Sequence, residues 1–501
     1  MAQEKESYEL MENNANAVQS LLKAVESTIG PKGLDTMLVD QFGEVIITND
    51  GITILDMMEV KHPIVKMLIN AVRSQQREVG DGTTTTALMA GEMVLAGIEQ
   101  IEKGVSVAQV ISGLRKGVAR ACDVLQKESF EMDEDKLKAI ATIAAREYDD
   151  IAQLVVTAAY TIGTDTLKDR NYIFRDHVQG IVGGEGGVFK GVILSKNRLN
   201  RQMPQEIDGE VKVLVLDDAL EQESFDDEML ATESGFQAYL QLKQDFRSNI
   251  EKIMQSGAKV VLVDRGVDDE AEELLTENGV MVYARLPHKE IELAAEFLGA
   301  KMIKRSSLKR ITAEELKSAL GRAEGIIDDE KLGQARIFGG KKSAATVMIG
   351  ATTEEIVQER ERIAKDAAAS VQAAVQYGGV AGGGAAELAA AKVLEQERSS
   401  FSAMSAFGVD CVIRALRRPF MQIVKNAGFN PLEKLGDVNQ SQEKGNHYLA
   451  IDCDSGKVAD MVINGVIDPL WVKLHGLKIA GEVAESILRI NIIVKKKEYR
   501  P

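Results

Sequence analysis

The sequence predicts a mainly helical protein that carries a separate α/β domain in its middle. Between Pro63 and Pro204 the 501-residue chain contains no proline, and its apolar residues recur at helical spacing. Residues 211–345 instead alternate short apolar strands with helical segments, which indicates an α/β domain. Helical periodicity returns from residue 352, so the chain leaves one region and comes back to it.

Helices are expected to make up most of the first part of the chain. Residues 9–30 have helical periodicity that stops at a Gly-Pro-Lys-Gly turn. Two short strands, Met37–Asp40 and Glu44–Thr48, are expected around a turn, and an Asn-Asp-Gly turn follows at 49–51. Long helices are expected at 64–79, 84–102, 107–127 and 134–161, and a glycine-rich break at 183–187 ends this part.

The rest of the chain is expected to alternate strands and helices before it becomes helical again. Short apolar strands are expected at Val211–Leu216, Val260–Val263 and Val280–Ala284, with helices such as 268–278 and 289–298 between them. Later helices are expected at 352–377, 384–425 and 474–490. A β-rich section at about 447–464 precedes the last helix, and a strand at 491–497 follows it.

The composition excludes several classes of protein. The net charge of −17 argues against general nucleic-acid binding, because such proteins usually present a basic face. The cysteines Cys122, Cys411 and Cys453 lie far apart without metal-binding or redox spacing, which indicates a reducing compartment. The N-terminus is polar, and no apolar run reaches membrane-spanning length. We therefore expect a cytoplasmic protein of roughly two to four domains, with neither nucleic acid nor membrane as a partner.

The sequence Gly-Asp-Gly-Thr-Thr-Thr-Thr at residues 80–86 is the strongest functional signal, because it stands at the head of a long helix. The first turn of a helix has unpaired N–H groups and the positive end of the helix dipole, which favour a bound phosphate. Asp81 could hold Mg²⁺ against that phosphate. A well-capped helix start is the alternative, but threonines are unfavourable in a first turn unless their hydroxyls bind something. A phosphate site is the preferred interpretation.

Three other segments contain residue types suited to such a site, and each also has a structural interpretation. The turn at 30–33 could bring its backbone and Lys32 to a phosphate, or it could only end a helix. Asp50 could orient a water or a metal, or it could belong to a tight turn. The three glycines at 382–384 imply a close approach by another chain or a flat ligand, or else a hinge.

Asp366 lies in a predicted helix rich in small residues. About 17 Å of helix separate it from Tyr377 at 1.5 Å per residue, so this helix could bring a carboxylate to a γ-phosphate while its far end lies near the nucleoside. An exposed structural aspartate is the alternative. The common nucleotide motifs are absent, since Gly340-Lys341 lacks the other residues of a P-loop and 184–186 lacks the last glycine of a dinucleotide site.

Four motifs together, in their order along the chain, closely resemble the chaperonins. They are Gly-Pro-Lys-Gly-Leu-Asp at 30–35, Thr-Asn-Asp-Gly-Ile-Thr-Ile-Leu at 48–55, Gly-Asp-Gly-Thr-Thr-Thr at 80–85 and Gly-Gly-Gly-Ala at 382–385. The resemblance runs from about residue 10 to residue 492. It favours the group II kind, typified by the archaeal thermosome and the eukaryotic cytosolic chaperonin, whose architecture the bacterial group III lineage shares.

The resemblance implies a subunit of three domains. Residues 1–128 with 382–501 would form a helical equatorial domain that binds ATP, and residues 129–199 with 345–381 a small intermediate hinge domain. Residues 200–344 would form an α/β apical domain. A helical protrusion at about 220–250 would serve as a built-in lid, so the resemblance implies that no separate lid subunit exists.

The resemblance also assigns roles in the binding of ATP and Mg²⁺. Asp81 would bind Mg²⁺, while Asp50 and Asp366 would act on the attacking water, Asp366 arriving when the intermediate domain closes. The residues that would contact the phosphates are Gly33, Lys32, Gly51, Gly82, Thr83, Thr84 and Thr85. The residues that would contact the nucleoside are Gly383, Gly384 and Asp468.

Some features depart from the family pattern. Group II chaperonins offer a lysine to the γ-phosphate from a loop of the intermediate domain, but the matching stretch at 144–149 has none, which leaves Arg146 as the substitute candidate. The chain is somewhat short and lacks the Gly-Met-rich tail often seen. A strand at 491–497 could pair with the 37–48 hairpin of a neighbouring subunit. The lid segment carries apolar residues that either form core or hold clients, namely Phe225, Leu230, Phe236, Tyr239, Leu240 and Phe246.

The function that the resemblance implies is ATP-driven protein folding. A homo-oligomeric double ring of about sixteen subunits would encapsulate unfolded proteins and close its lid as ATP is hydrolysed. Two alternatives use the same phosphate site without a chamber. One is a small-molecule kinase or ATPase, and the other is a scaffold that binds nucleotide without hydrolysing it.

Overall fold

The structure is a computed structural model that describes residues 2–39, 43, 45–146, 148–222, 233–402, 404–442 and 445–493. The chain forms two compact units. The first unit contains the residues up to Gln153 and those from Lys365 onward, and the second contains Leu154–Ala364. Within the described residues, no helix is long and apolar enough to cross a membrane.

The first segment of the first unit is mainly helical. It contains a 3₁₀ turn, Glu26–Thr28, and an antiparallel pair of strands, β1 (Thr36–Val39) and β2 (Val45–Thr48). Its α-helices are α1 (Ala2–Val25), α2 (Gly51–Met57), α3 (Pro63–Glu78), α4 (Thr83–Glu102), α5 (Val107–Lys127), α6 (Glu134–Ala144) and the beginning of α7 (Asp149–Ile162).

The second unit is built around a mixed sheet of seven strands. Their order is β5-β11-β10-β6-β7-β8, with β9 also paired to β6, and a smaller sheet has the order β3-β12-β4. The strands are β3 (Val178–Val182), β4 (Gly187–Phe189), β5 (Val192–Leu194), β6 (Glu206–Leu216), β7 (Val260–Val263), β8 (Met281–Tyr283), β9 (Met302–Ile303), β10 (Gly321–Asp329), β11 (Gln334–Phe338) and β12 (Thr346–Ala351).

Alternation along β6 explains why this sheet is covered on both faces. Val213 and Val215 belong to one apolar cluster, whereas Leu214 and Leu216 belong to another. Successive strand residues point to opposite faces, so each face buries its own core. The helices of this unit are the rest of α7, α8 (Thr164–Lys168), α9 (Glu233–Gln255), α10 (Asp269–Glu277), α11 (His288–Leu298), α12 (Arg305–Leu308), α13 (Ala313–Ala319) and the beginning of α14 (Glu354–Tyr377).

The chain then returns to the first unit along the second half of α14. Strand β13 (Gly379–Ala381) pairs antiparallel with β16 (Ile467–Pro469), and β14 (Leu449–Ile451) pairs with β15 (Val458–Asp460). The helices of this segment are α15 (Ala385–Gln396), α16 (Ala406–Asn426), α17 (Pro431–Gln442) and α18 (Leu470–Leu488).

Helix α4 is the centre of the first unit's core, packed against α1, α3, α16 and α18. Glycines on α4 allow the neighbouring helices to approach closely. A Cβ atom at Gly91 would lie 2.6 Å from Leu22 of α1, and one at Gly97 would lie 2.5 Å from Leu488 of α18. Because α4 is held from several sides, its first turn is a rigid platform for a site.

The structure corrects several expected boundaries. The helix expected at 134–161 is two helices, broken around Arg146, whose φ of +57° cannot continue a right-handed helix. The helix expected at 384–425 is likewise divided between α15 and α16. The first helix ends at Val25 before a 3₁₀ turn, and the last begins at Leu470. Of the strand expected at 491–497, residues 491–493 are not in a strand and the others lie outside the described residues.

The described part of the expected lid segment is helical. Helix α9 covers Glu233–Gln255, while Phe225 and Leu230 lie outside the described residues. Phe246 is buried in the core of the second unit, whereas Phe236 and Leu240 are exposed. The apolar stripe therefore contains both core and surface residues.

Candidate functional site

The candidate site lies at the start of α4. Gly82 precedes the helix with a φ of +76°, a left-handed conformation that favours glycine. A Cβ atom at this position would lie 2.5 Å from Cγ1 of Val472, so glycine also permits the close approach of α18. Gly82 is the N-cap of α4, and among the described residues no side chain forms an N-cap hydrogen bond there. The N–H groups of the first turn can therefore serve a bound anion.

Asp81 is fixed from two sides. Gly82 N donates a hydrogen bond to Asp81 Oδ1 at 2.6 Å, and the hydroxyl of Ser370 on α14 donates to Asp81 Oδ2 at 2.9 Å. Gln75 Nε2 donates to the backbone carbonyl of Asp81 at 2.8 Å. Within the described part of the chain, Asp81 forms no ion pair with a lysine or arginine. The carboxylate is thus held in place without an ion-pair partner among these residues.

The surroundings of Asp81 oppose its ionisation. Burial raises the pKa of the Asp81 carboxyl above its ordinary value, and the negative charge of Asp468 adds to the increase. The hydrogen bonds from Ser370 and Gly82 and the charge of Lys473 act in the opposite direction and compensate only in part. A divalent cation would relieve this imbalance, and a carboxylate oxygen is a ligand that Mg²⁺ prefers. The residues present therefore fit a magnesium ion.

The threonines of α4 differ in their environment. Thr83 and Thr86 are buried, and Thr84 and Thr85 are half-buried. The hydroxyl of Thr86 donates to the carbonyl of Gly82 at 2.9 Å, so this side chain stabilises the helix start. Thr84 lies against Gly51, where a Cβ atom would be only 2.3 Å from Thr84 Oγ1. This contact joins the start of α2 to the start of α4.

Asp50 is the N-cap of α2, so the expected tight turn is the beginning of a short helix. Asp50 Oδ2 accepts hydrogen bonds from Thr53 N at 3.2 Å and from Thr53 Oγ1 at 2.6 Å. Asp50 N donates to Thr48 Oγ1 at 3.1 Å. The carboxylate is half-buried and has a defined orientation, next to the glycine that contacts α4.

The position of Asp366 follows from the contact between Ser370 and Asp81. Ser370 comes four residues after Asp366 on α14, and residues at this spacing share one face of a helix. Asp366 therefore lies on the face of α14 that meets the start of α4, one turn before Ser370. It is half-buried.

Arg146 lies in the short connection between α6 and α7. Its guanidinium donates a hydrogen bond to Asn49 Oδ1, next to Asp50 in the sequence. The left-handed backbone of Arg146 both breaks the expected long helix and places this cation beside the Asp50 segment. This contact links the α6–α7 connection to the start of α2.

The triple glycine and Asp468 meet through paired strands. Gly383 and Gly384 have φ values of +63° and +83°, which only glycine adopts readily. Asp468 in β16 is opposite Val380 in β13, the strand that leads into the glycines. The carboxylate of Asp468 forms an ion pair of 2.7 Å with Lys473 of α18.

The turn at residues 30–33 is compact, but its polar contacts are made with residues outside the start of α4. Gly33 N donates to the carbonyl of Gly30 at 3.0 Å, and a Cβ atom at Gly33 would lie 2.3 Å from the carbonyl oxygen of Thr28. Lys32 forms an exposed ion pair of 2.6 Å with Asp454. Among the described residues, no hydrogen bond or ion pair joins this turn to the start of α4.

Three residues that take part in the contacts of this region are not predicted from the sequence. Ser370 could have been found from helical spacing, because it shares a face with Asp366. Lys473 is a charged residue flanked by the apolar residues Val472 and Leu474 of α18, which is a usable signal. Gln75 has no distinctive sequence pattern. Its Nε2 donates to Asp81 O at 2.8 Å and to Val472 O at 3.3 Å, and its Oε1 lies 2.7 Å from His475 Nδ1.

Comparison with known proteins identifies the family. The model of the TCP-1/cpn60 chaperonin family matches residues 21–498. This chain belongs to that family. The thermosome subunit beta of Archaeoglobus fulgidus is 33% identical, over 97% of this chain and 91% of the relative. The thermosome subunit alpha of Thermoplasma acidophilum is 32% identical, over 98% of this chain and 92% of the relative.

A solved structure supports the same assignment. The crystal structure of a group III chaperonin in the open state is 42% identical, covers 98% of this chain and 100% of its own, and superposes with a TM-score of 0.85. The sequence-based prediction of a three-domain chaperonin subunit, mainly helical with α/β parts, is confirmed. As a chaperonin subunit, the chain is an ATP-dependent chaperone and ATPase of the double-ring type that binds unfolded proteins. A kinase without a chamber is not favoured.

Proposed function

We propose that the chaperonin hydrolyses Mg²⁺-bound ATP at the start of α4 and uses the reaction to close a folding chamber. The observation that carries this proposal is the hydrogen bond from Ser370 to Asp81, since it brings the helix of Asp366 to the proposed magnesium ligand. Phosphoryl transfer depends mainly on positioning and on neutralising charge, and this arrangement offers groups for both.

The phosphates would be bound by backbone N–H groups and hydroxyls. Gly82, Thr83, Thr84 and Thr85 supply these groups at the first turn of α4, where the helix dipole also favours negative charge. Gly51 leaves the space that Thr84 occupies. We assign Gly33 and Lys32 to the outer edge of the phosphate site, where ATP would have to draw Lys32 away from Asp454.

Asp81 would hold Mg²⁺, which when bound neutralises phosphate charge. Asp50 and Asp366 would orient the attacking water, and one of these carboxylates would accept its proton as the water oxygen bonds to the γ-phosphorus, the bond from the γ-phosphorus to the bridging oxygen breaks, and ADP leaves. Arg146 would approach the γ-phosphate from the α6–α7 connection, replacing its contact with Asn49. Gly383, Gly384 and Asp468 would contact the nucleoside.

The subunit would have an equatorial domain (1–128 and 382–501), an intermediate domain (129–199 and 345–381) and an apical domain (200–344). The boundary between the two compact units falls within both segments of the intermediate domain, which suits a hinge. We propose a built-in lid at about 220–250 and no separate lid subunit. The exposed Phe236 and Leu240 of α9 would be available to unfolded clients.

The proposed assembly is a homo-oligomeric double ring of about sixteen subunits in the cytoplasm. The test is the native mass of the purified chain with and without ATP and Mg²⁺, combined with limited proteolysis of residues 222–247. We expect a particle of about sixteen identical subunits whose segment becomes protected during hydrolysis. A stable monomer or dimer with unchanged proteolysis would contradict the proposal. Deletion of 222–247 should preserve ATP hydrolysis and abolish encapsulation of a client.

A further inference from the structure

A buried lysine at the start of α18 lies between two carboxylates. Lys473 Nζ is 2.6 Å from Glu387 Oε1 and 2.7 Å from Asp468 Oδ2. The side chain of Lys473 is 9% exposed and that of Glu387 is 1% exposed. Burial disfavours the charged ammonium, but the charges of Asp468 and Glu387 outweigh it and raise the pKa of Lys473. Lys473 therefore stays charged inside the fold.

Lys473 joins the elements that lead to the proposed nucleoside site. Glu387 lies in the first turn of α15, directly after the triple glycine, and Asp468 lies in β16. Gly382 N donates to the carbonyl of Val466 at 2.9 Å, and a Cβ atom at Gly382 would be 3.2 Å from Asp468 Oδ2. One ammonium group thus connects the helix after the glycines with the strand beside them.

The two oxygens of Asp468 have different environments. Oδ2 is held by Lys473, whereas Oδ1 has neither a hydrogen bond nor an ion pair within the described ranges. The side chain is 26% exposed, so Oδ1 can accept a hydrogen bond from a ligand. A carboxylate that is anchored at one oxygen loses less conformational freedom when the other binds.

Fold stability alone does not explain this arrangement. Burying charges is costly, and a buried ion pair can often be replaced by apolar residues of similar volume without loss of stability. Here three charges share one buried position, and one of the three side chains reaches solvent. The geometry is better suited to orienting Asp468 than to holding the fold together.

We propose that Lys473 is a positioning residue for nucleotide binding. It fixes the Asp468 carboxylate and the neighbouring glycine turn so that Asp468 accepts hydrogen bonds from the nucleoside of ATP or ADP. This inference rests on the proposed function of Asp468. The phosphates are assigned to the start of α4, which Lys473 and Asp468 influence only through their charges at Asp81.

The test compares ADP with inorganic pyrophosphate, which lacks a nucleoside. The double substitution K473M/E387Q removes both deeply buried charges together, so that no unpaired ion is left buried, and it frees Asp468. We expect it to weaken ADP binding about tenfold, which corresponds to about 1.4 kcal/mol, and to leave pyrophosphate binding unchanged. The KM for ATP should rise in parallel while kcat stays within about twofold.

Matched variants separate the possible outcomes. D468N should weaken ADP binding alone, and K473R, which keeps the positive charge but is larger, should retain more of the affinity than K473M/E387Q. R120M/E397Q removes an ion pair elsewhere in the first unit and should leave ADP binding unchanged. Binding can be followed by calorimetry or by the fluorescence of Trp471, the chain's single tryptophan, which stacks on Tyr377 at 4.6 Å.

Two results would overturn the inference. An equal loss of ADP and pyrophosphate binding in K473M/E387Q would indicate a general structural defect, and unchanged ADP binding would show that Lys473 does not position Asp468. If K473M/E387Q fails to fold, K473R takes its place in the test. An equal loss of ADP binding in K473R and D468N would then contradict the inference that the charge of Lys473 positions Asp468. If D468N itself binds ADP normally, the proposed function of Asp468 fails instead.

Discussion

Two carboxylates of the first unit differ from a buried carboxylate of the second unit in how they are paired. In the second unit, Arg198 Nη1 lies 2.7 Å from Asp328 Oδ2, and Arg198 N donates to Asp328 Oδ1 at 2.8 Å. These side chains are 6% and 0% exposed, so each carboxylate oxygen is paired within the protein. In the first unit, Asp81 has no cationic partner among the described residues, and Asp468 keeps a free oxygen.

This difference separates a structural charge from a functional one. In the second unit, Arg198 and Asp328 satisfy each other's charge, so we expect this ion pair to affect only the stability of the surrounding fold. We propose that the carboxylate of Asp81, which has no ion-pair partner among the described residues, serves a bound cation in the ATP site expected of a chaperonin. A buried carboxylate without an ion-pair partner is therefore one physical mark of the proposed site.

The largest effect is expected from Asp366→Asn, which tests whether the first unit carries the chemistry. Loss of the carboxylate should lower kcat by about 10²–10⁴-fold, the usual contribution of general acid–base catalysis, while ATP still binds. Phosphate release and ATP binding would be measured separately. Glu355→Gln on the exposed first turn of the same helix is the control and should retain activity. Normal turnover in Asp366→Asn would remove Asp366 from the mechanism.

Asp328→Ala tests the structural charge of the second unit. Among the described residues it leaves the buried Arg198 with Glu330, at 2.5 Å, as its anionic partner, and it should lower the free energy of unfolding by about 3–5 kcal/mol. Thermal denaturation and hydrogen exchange of β10 would measure the loss. Glu210→Gln breaks the exposed pair with Arg322 and should cost about 0–1 kcal/mol. Equal losses in the two variants would show that burial of the pair is unimportant.

Asp81→Asn should separate function from stability. Because the folded-state pKa of Asp81 is raised, its ionised form opposes folding, and the stability of the nucleotide-free protein falls as pH increases through that pKa. The variant should therefore unfold at the same or a higher temperature at pH 7, yet require at least about tenfold more Mg²⁺ for hydrolysis. A destabilised variant with normal Mg²⁺ dependence would assign Asp81 a purely structural role.

Gly51→Ala tests the close contact between α2 and α4. The new methyl group would meet Thr84 Oγ1 at 2.3 Å, so the KM for ATP should rise several-fold and the free energy of unfolding should fall by about 1–3 kcal/mol. Gly436→Ala in α17 is the control, since among the described residues no atom beyond the adjacent helix backbone lies within 4 Å of its Cβ position, and it should stabilise the protein by about 0.5–1 kcal/mol. Steady-state kinetics and denaturant unfolding would distinguish them.

The sequence predicts the helices and strands well where periodicity is long. The expected helices 107–127 and 289–298 match α5 and α11 closely. Prediction fails where one residue with a left-handed backbone interrupts a helical pattern, as at Arg146. Nothing in the composition of 134–161 marks that residue. A contact with Asn49, about a hundred residues away, accompanies that conformation.

The motifs were sufficient to identify candidate residues, but they could not supply the contacts between them. Gly51 and Thr84 belong to different motifs, and only the folded chain puts them together. Lys473 and Glu387 have no motif of their own, since a buried ion pair depends on how distant helices pack. The same limit applies to Lys32, whose observed partner is Asp454 rather than a group of the α4 site.

We propose that Asp81 and the first turn of α4 form the ATP site, with Asp366 as the hydrolytic group. A cryo-electron microscopy structure of the Asp366→Asn protein with ATP and Mg²⁺ tests it most directly, because the substrate should bind without turning over. We predict density for Mg²⁺ at Asp81, phosphates at Thr83–Thr85 and the nucleoside beside Gly383 and Asp468, in every subunit of a double ring. Nucleotide bound elsewhere, or a metal without contact to Asp81, would contradict the account.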